Sequence, residues 1–154
     1  MRFIRKGLAV AALAAGAGML AASPALAAPN WNPISPDSYW KCGTTTTHPA
    51  GGVLFQTCIV SRPGGNTQAV LVVKNNSGHS IQIEGSVAAT ALWPSNTITD
   101  HSADCVQSTL STGYSSGCFT ATANLSGSQV RAASALIVNG QLATTTQTPY
   151  VYPS

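Results

Sequence analysis

Residues 68–89 read QAVLVVKNNSGHSIQIEGSVAA, and the way their side chains alternate decides the fold class. Ile81, Ile83, Gly85 and Val87 fall on one face, with Gln82, Glu84 and Ser86 between them. A period of two belongs to a strand with one face in a core and the other in solvent. Upstream, Gln68 to Lys74 is a continuous apolar run. Asn75-Asn76-Ser77-Gly78 joins the two and supplies residues that tolerate a left-handed backbone at a tight connection. The reading is a hairpin from about Gln68 to Ala89.

The same pattern extends in both directions. Val53 to Arg62, carrying Cys58, reads as a strand, and Phe119, Ala121, Ala123 and Leu125 alternate with Thr120, Thr122 and Asn124 before Gly127 turns the chain. Val130 to Val138 is a further strand; Asn139-Gly140 then gives the strongest short-range hairpin signal, and Leu142 to Thr148 returns. One more strand fits Ala88 to Trp93. Only Asp100 to Leu110 offers room for a short helix, with Asp100 or Asp104 capping its first turn. Six or seven short strands joined by Gly- and Asn-rich turns predict an all-β domain. An antiparallel β-sandwich of immunoglobulin-like character is the first expectation and a small barrel the second.

The N-terminus decides the compartment. Arg2, Arg5 and Lys6 precede an Ala-rich apolar stretch, Gly7 to Leu20, and Ala25-Leu26-Ala27 gives the small-x-small pattern of a signal peptidase site. Residues 1–27 are therefore read as a cleaved signal peptide and the mature protein as secreted and extracellular. The formal charge of +3 on the 154-residue chain resides in those three cations. What remains sets Lys41, Arg62, Lys74 and Arg131 against Asp37, Glu84, Asp100 and Asp104, a net charge of about zero without clusters. Nucleic acid and stable membrane insertion are excluded as expectations. Residues 28–41 hold Pro29, Pro33 and Pro36 beside Trp31, Tyr39 and Trp40, which predicts an extended segment ahead of a single β domain over 42–154.

Cys42, Cys58, Cys105 and Cys118 make an even count in an exported chain, which argues for disulfides. Of three connectivities, Cys42–Cys58 and Cys105–Cys118 are favoured, because their fifteen and twelve intervening residues make local closures. No C-x-x-C pair suggests a metal site. The long-range Cys, Trp, Cys spacing of antibody domains is missing.

Chemistry is sparsely signalled. Gly113-Tyr114-Ser115-Ser116-Gly117 matches the G-x-S-x-G pattern of serine hydrolases, yet no Asp, Glu or His follows Ser115 to complete a triad in that order. Asp100, His101 and Asp104 form the one local ionisable cluster, and a metal there would need His48 or His79 to arrive from elsewhere. Four carboxylates in the mature chain make a glycosidase pair improbable. The expectation is no catalytic residue, no metal, no cofactor and no enzyme activity. Trp40, Trp93 and Tyr114 are the candidate binding residues, since exposed rings stack on sugars or anchor protein partners. The competing reading has Trp40 and Trp93 capping the core, with Tyr150 and Tyr152 paired on an edge strand.

The fifteen residues between Cys42 and Cys58 are similar in spacing to those of the small two-disulfide α-amylase inhibitors secreted by actinomycetes. That family carries an inhibitory Trp-Arg-Tyr triplet between those cysteines, and Gly43 to Thr57 contains none of the three, so no inhibitory residue carries over. Over its full length the chain resembles the small Ala-, Ser- and Thr-rich exported two-disulfide β proteins of actinomycete bacteria. That resemblance rests on organisation and implies no catalytic residue. The expected function is a secreted non-catalytic binding or structural protein. Alternatives are inhibition of a secreted hydrolase from a disulfide-tethered loop, and binding of cell-wall polysaccharide as a carbohydrate-binding module.

Overall fold

The structure is a computed structural model that describes residues 31–143 and 146–154, so the expected signal peptide lies outside it. The described chain forms eleven strands and no helix: β1 (Trp40–Cys42), β2 (Thr46–Thr47), β3 (Val53–Arg62), β4 (Asn66–Asn75), β5 (Ile81–Leu92), β6 (Ile98–Leu110), β7 (Ser115–Phe119), β8 (Ala123–Asn124), β9 (Gln129–Val138), β10 (Gln141–Leu142) and β11 (Thr146–Gln147). Sheet I has the order β1-β3-β4-β7, with β2 on β3 and β8 on β4; sheet II runs β10-β9-β5-β6, with β11 on β9. All pairings are antiparallel. Naming β3, β4, β5, β6, β7, β9 and β10/β11 as A, B, C, C′, E, F and G gives sheets A-B-E and G-F-C-C′, the immunoglobulin-type order. The domain is a sandwich and not a barrel.

Period-two burial builds the core. Val53, Phe55 and Ile59 of β3 and Ala69, Leu71 and Val73 of β4 face Ile81, Ile83 and Val87 of β5 and Val130, Leu136 and Val138 of β9, all essentially without solvent contact. Each such large aliphatic contributes about 1.5–3 kcal/mol by leaving water. At the centre a polar cluster crosses between the sheets. Thr57 Oγ1 lies 2.6 Å from both Ser134 Oγ and Thr146 Oγ1 and donates to the Thr146 carbonyl at 2.9 Å.

The outer face of sheet I also carries an apolar cluster, and the chain covers that cluster itself. Cys58, Val60, Val70 and Val72 form a second cluster under Ile34, Trp40 and Phe119. Asn32 pairs with Gly117 at one edge of the sheet and Trp40 with Val60 at the other, so residues 33–39 cross the whole face as a strap. Extended chain over that span reaches about 26 Å, and four strand spacings require about 19 Å. Two contacts pin the far end: Cys42 is bonded to Cys58 directly opposite, and Arg62 both pairs with Asp37 at 3.2 Å and lies over the Tyr39 ring.

Several sequence expectations need correction. Gln68 to Ala89 is not a hairpin, because β4 pairs only within sheet I and β5 only within sheet II; the Asn75–Gly78 connection arches from one layer to the other. The arch is fixed by buried Asn75, whose Nδ2 donates to the carbonyls of His79 and Leu110 and whose Oδ1 accepts from Ser77. The true hairpins are β3–β4, β5–β6 and β9–β10. In the last, Asn139 and Gly140 both take positive φ, 48° and 79°, as a two-residue type I′ turn requires.

Asp100–Leu110 is no helix but most of β6, the longest strand. Its alternation is broken by a bulge in which Val106 and Gln107 together oppose Glu84, and the extra residue hides the period. The indole of Trp31 donates to the Val106 carbonyl at 2.8 Å in this bulge. Phe119–Leu125 is not one strand: β7 begins earlier, at Ser115, and ends at Phe119, where the side chain and carbonyl of Thr120 turn to Ala69 and Gln68. The return after Gly140 is likewise split into β10 and β11. Both expected disulfides are present, but Cys105–Cys118, although local in sequence, joins β6 of sheet II to β7 of sheet I and so clamps the layers together.

Candidate binding face

The sequence-derived candidates are scattered by the fold. Ser115 opens a strand opposite Lys74, whereas a hydrolase elbow places its serine between a strand and a helix. The two glycines of its motif have separate structural reasons. Gly113 takes a φ of +81° in the turn before β7, and Gly117 lies under the strap, where a Cβ would sit 2.5 Å from Ile34. Asp100, His101 and Asp104 are not a cluster on one face, because successive strand residues point oppositely: the two aspartates face outward and exposed, while His101 faces the half-buried inner side. Among the described residues no group of three or more His, Cys, Asp or Glu side chains is placed to hold a metal ion.

Of the aromatic candidates, Trp40 packs edge-on against Phe119 at 6.0 Å under the strap. Trp93 packs on the core edge, and its indole donates to Thr99 Oγ1 at 3.1 Å. Both rings take part in packing and both remain partly exposed. Tyr114 is exposed on a turn, and its backbone is held by Asn75. Within the Cys42–Cys58 segment Thr46 and Thr47 pair with Phe55 and Leu54 and His48 is buried, while residues 49–52 form an exposed turn. Burial lowers the His48 pKa, an effect partly offset by the carbonyls of Leu136 and Gln141. Nδ1 accepts from the Ala50 amide, and Nε2 lacks a partner in hydrogen-bond geometry.

The surface with the most distinctive chemistry is the outer face of sheet II, which the pairing registers arrange in rows. The first row is Ile98, Leu92, Gln129, with Tyr152 bonded to Gln129 at 2.6 Å. Next comes Asp100, Thr90, Arg131, with Tyr150 under the Arg131 guanidinium. Two rows of small side chains follow: Ser102, Ala88, Ala133 closed by Gln147, and then Asp104, Ser86, Ala135. A taller row of Glu84, Ile137 and Leu142 stands beyond them. The small rows floor a trough made of three adjoining depressions of about 370, 350 and 400 Å³.

This face holds the apolar exposure and the charge together. Ile98, Leu142, Tyr150 and Tyr152 are 62%, 63%, 54% and 70% exposed. Glu84, Asp100 and Asp104, three of the four Asp and Glu residues of the chain, lie here with a single cation, Arg131. Thr90 Oγ1 donates to Asp100 at 2.7 Å, and Arg131 bonds to Gln147, so both charges are held to the surface. The sequence reading missed this site. Its residues are single alternating positions on three strands, and only strand order makes them neighbours.

No family model matches the chain, and no curated protein is significantly similar to it. The trough, its aromatic and apolar walls and its opposed charges therefore carry the functional argument.

Proposed function

We propose that this is a secreted, non-catalytic binding domain whose working surface is the outer face of sheet II. The observation that carries the reading is the asymmetry of the two outer faces. The apolar cluster on the outer face of sheet I is covered by residues of its own chain and a disulfide, which leave one depression of about 280 Å³ beside Ile34, Leu54 and Val72, whereas sheet II leaves a longer walled trough and five large apolar side chains in solvent, Leu92, Ile98, Leu142, Tyr150 and Tyr152. An open apolar face of this kind marks an interaction site on a soluble domain. Export rests on the basic and apolar N-terminal pattern and agrees with two disulfides and with the absence, among the described residues, of a helix long and apolar enough to cross a membrane.

The test is retention of the oxidised mature protein on isolated cell-wall material, on culture-fluid proteins and on an immobilised copy of itself. Ala133→Arg fills the trough floor without entering the core, and Tyr114→Ala serves as a control on the opposite connection. Retention that is lost in Ala133→Arg and kept in Tyr114→Ala is expected. Retention indifferent to Ala133→Arg would remove the face from the mechanism.

A further inference from the structure

We infer that the partner of this face is a second copy of the chain, packed face to face about a two-fold axis that runs along β5. This rests on the reading that the sheet II face is the working surface, and it names the occupant. Asp100 and Arg131 stand in one row, each one strand away from Thr90 of β5 and on opposite sides of it. A half-turn about a line along β5 exchanges those two sides. Arg131 of the second copy then lies over Asp100 of the first, and the reciprocal pair forms as well, which is the self-complementarity that an isologous dimer requires.

Side-chain size and area agree with this arrangement. The axis strand presents Ser86 and Ala88, flanked by Ala133 and Ala135, so nothing tall stands between the two sheets where they cross. Sheets packed this way lie about 10 Å apart at an aligned angle of about −30°. At that angle the axis lies about 15° from each β5, so Glu84, roughly 13 Å along the strand from Ala88, stands off the axis and away from its equivalent. Four strands by five rows measure roughly 20 by 30 Å, so two such faces bury about 1,200 Å², the lower bound for a specific interface. Of the carboxylates outside the Asp100–Arg131 pairs, Asp104 falls over Ala135 of the second copy and Glu84 stands off the axis, so neither directly opposes a like charge.

A polycationic partner fits less well, because Arg131 sits among the carboxylates. A polysaccharide would find one face of Tyr150 already under that guanidinium and the Tyr152 hydroxyl already bonded.

Sedimentation velocity of the oxidised mature protein from about 1 µM to about 1 mM tests the inference. A monomer–dimer equilibrium is expected, weakened at least tenfold by Asp100→Arg and by Arg131→Asp separately. An equal mixture of these two variants is expected to form a heterodimer, since both contacts then join unlike charges. Both positions are exposed, and a circular dichroism spectrum matching the wild type is required of each variant before its association is compared. A wild-type chain that stays monomeric throughout, or a mixture that fails to restore the dimer, overturns the inference. If the monomer nevertheless binds wall polysaccharide and loses it on Ala133→Arg, self-association fails while the face remains the working surface. Loss of both removes the two readings together.

Discussion

Replacing Thr57 by Val tests whether the hydroxyl cluster between the sheets is a unit. The substitution keeps side-chain shape and removes one hydroxyl. Thr57 Oγ1 donates its proton to the Thr146 carbonyl and accepts from Ser134 and Thr146, so the change strips a partner from three buried groups. Ser134 and Thr146 can still bond each other, at 3.4 Å, which leaves one hydroxyl proton and one carbonyl without a partner. An orphaned buried group costs about 1–3 kcal/mol, so a loss of about 2–3 kcal/mol is expected after partial relaxation. Thr57→Ser, which keeps the hydroxyl and loses a methyl, should cost about 1 kcal/mol. The decisive variant is Thr57→Val/Ser134→Ala/Thr146→Val. With all three hydroxyls gone only the residue 146 carbonyl still lacks that donor and no hydroxyl proton is orphaned, so it should be more stable than Thr57→Val alone, despite three substitutions. Urea unfolding with a common m-value measures all three, and thermal midpoints should fall about 3–5 °C per kcal/mol lost. A triple variant whose loss equals or exceeds the sum of the three singles would refute the reasoning.

Other outcomes follow from the same contacts. His48 is held neutral by burial, so its folded pKa lies below 6.5 and the unfolded chain binds more protons in the window beneath that value. Stability should be full above about pH 6.5 and fall as pH drops through that window, with a shallower fall in His48→Gln, read from thermal midpoints across pH. Gly85→Ala places a Cβ 2.5 Å from the Ala135 carbonyl oxygen and 2.8 Å from Leu71, and should cost about 1–3 kcal/mol in urea unfolding. Replacing both Cys105 and Cys118 by Ala should cost about 3 kcal/mol, with amide protection falling throughout both sheets. The Cys42→Ala/Cys58→Ala pair should instead raise exchange chiefly in the strap and β1, a contrast that hydrogen exchange resolves.

Legibility of the binding face was limited by the kind of information each residue carries. Trp40 and Trp93 drew notice because large rings are energetically important wherever they lie, and in the fold Trp93 packs on the core edge and Trp40 on the outer cluster of sheet I. Ala88, Ala133 and Ser86 attract none in a sequence, since small residues are informative only when taller neighbours surround them. Asp100 and Arg131 lie thirty-one positions apart and share a row through Thr90 of a third strand. Nothing in either segment alone reports that register.

Alternation and turn chemistry are properties of a few consecutive residues, and for this reason the sequence by itself determined the all-β class, the extent of β3 and β9, the Asn139-Gly140 turn and the pairing of four cysteines into two short closures. Which strand lies beside which is decided by the packing of whole faces. A strand's period says that one side is buried but not against what, so the layer-crossing arch after β4, the bulged strand in place of a helix and the inter-sheet position of Cys105–Cys118 emerged only in three dimensions. The open face of sheet II belongs to that second group. It exists because sheet I received the chain's covering segment and sheet II did not, a partition that depends on burying apolar area distributed over the entire domain.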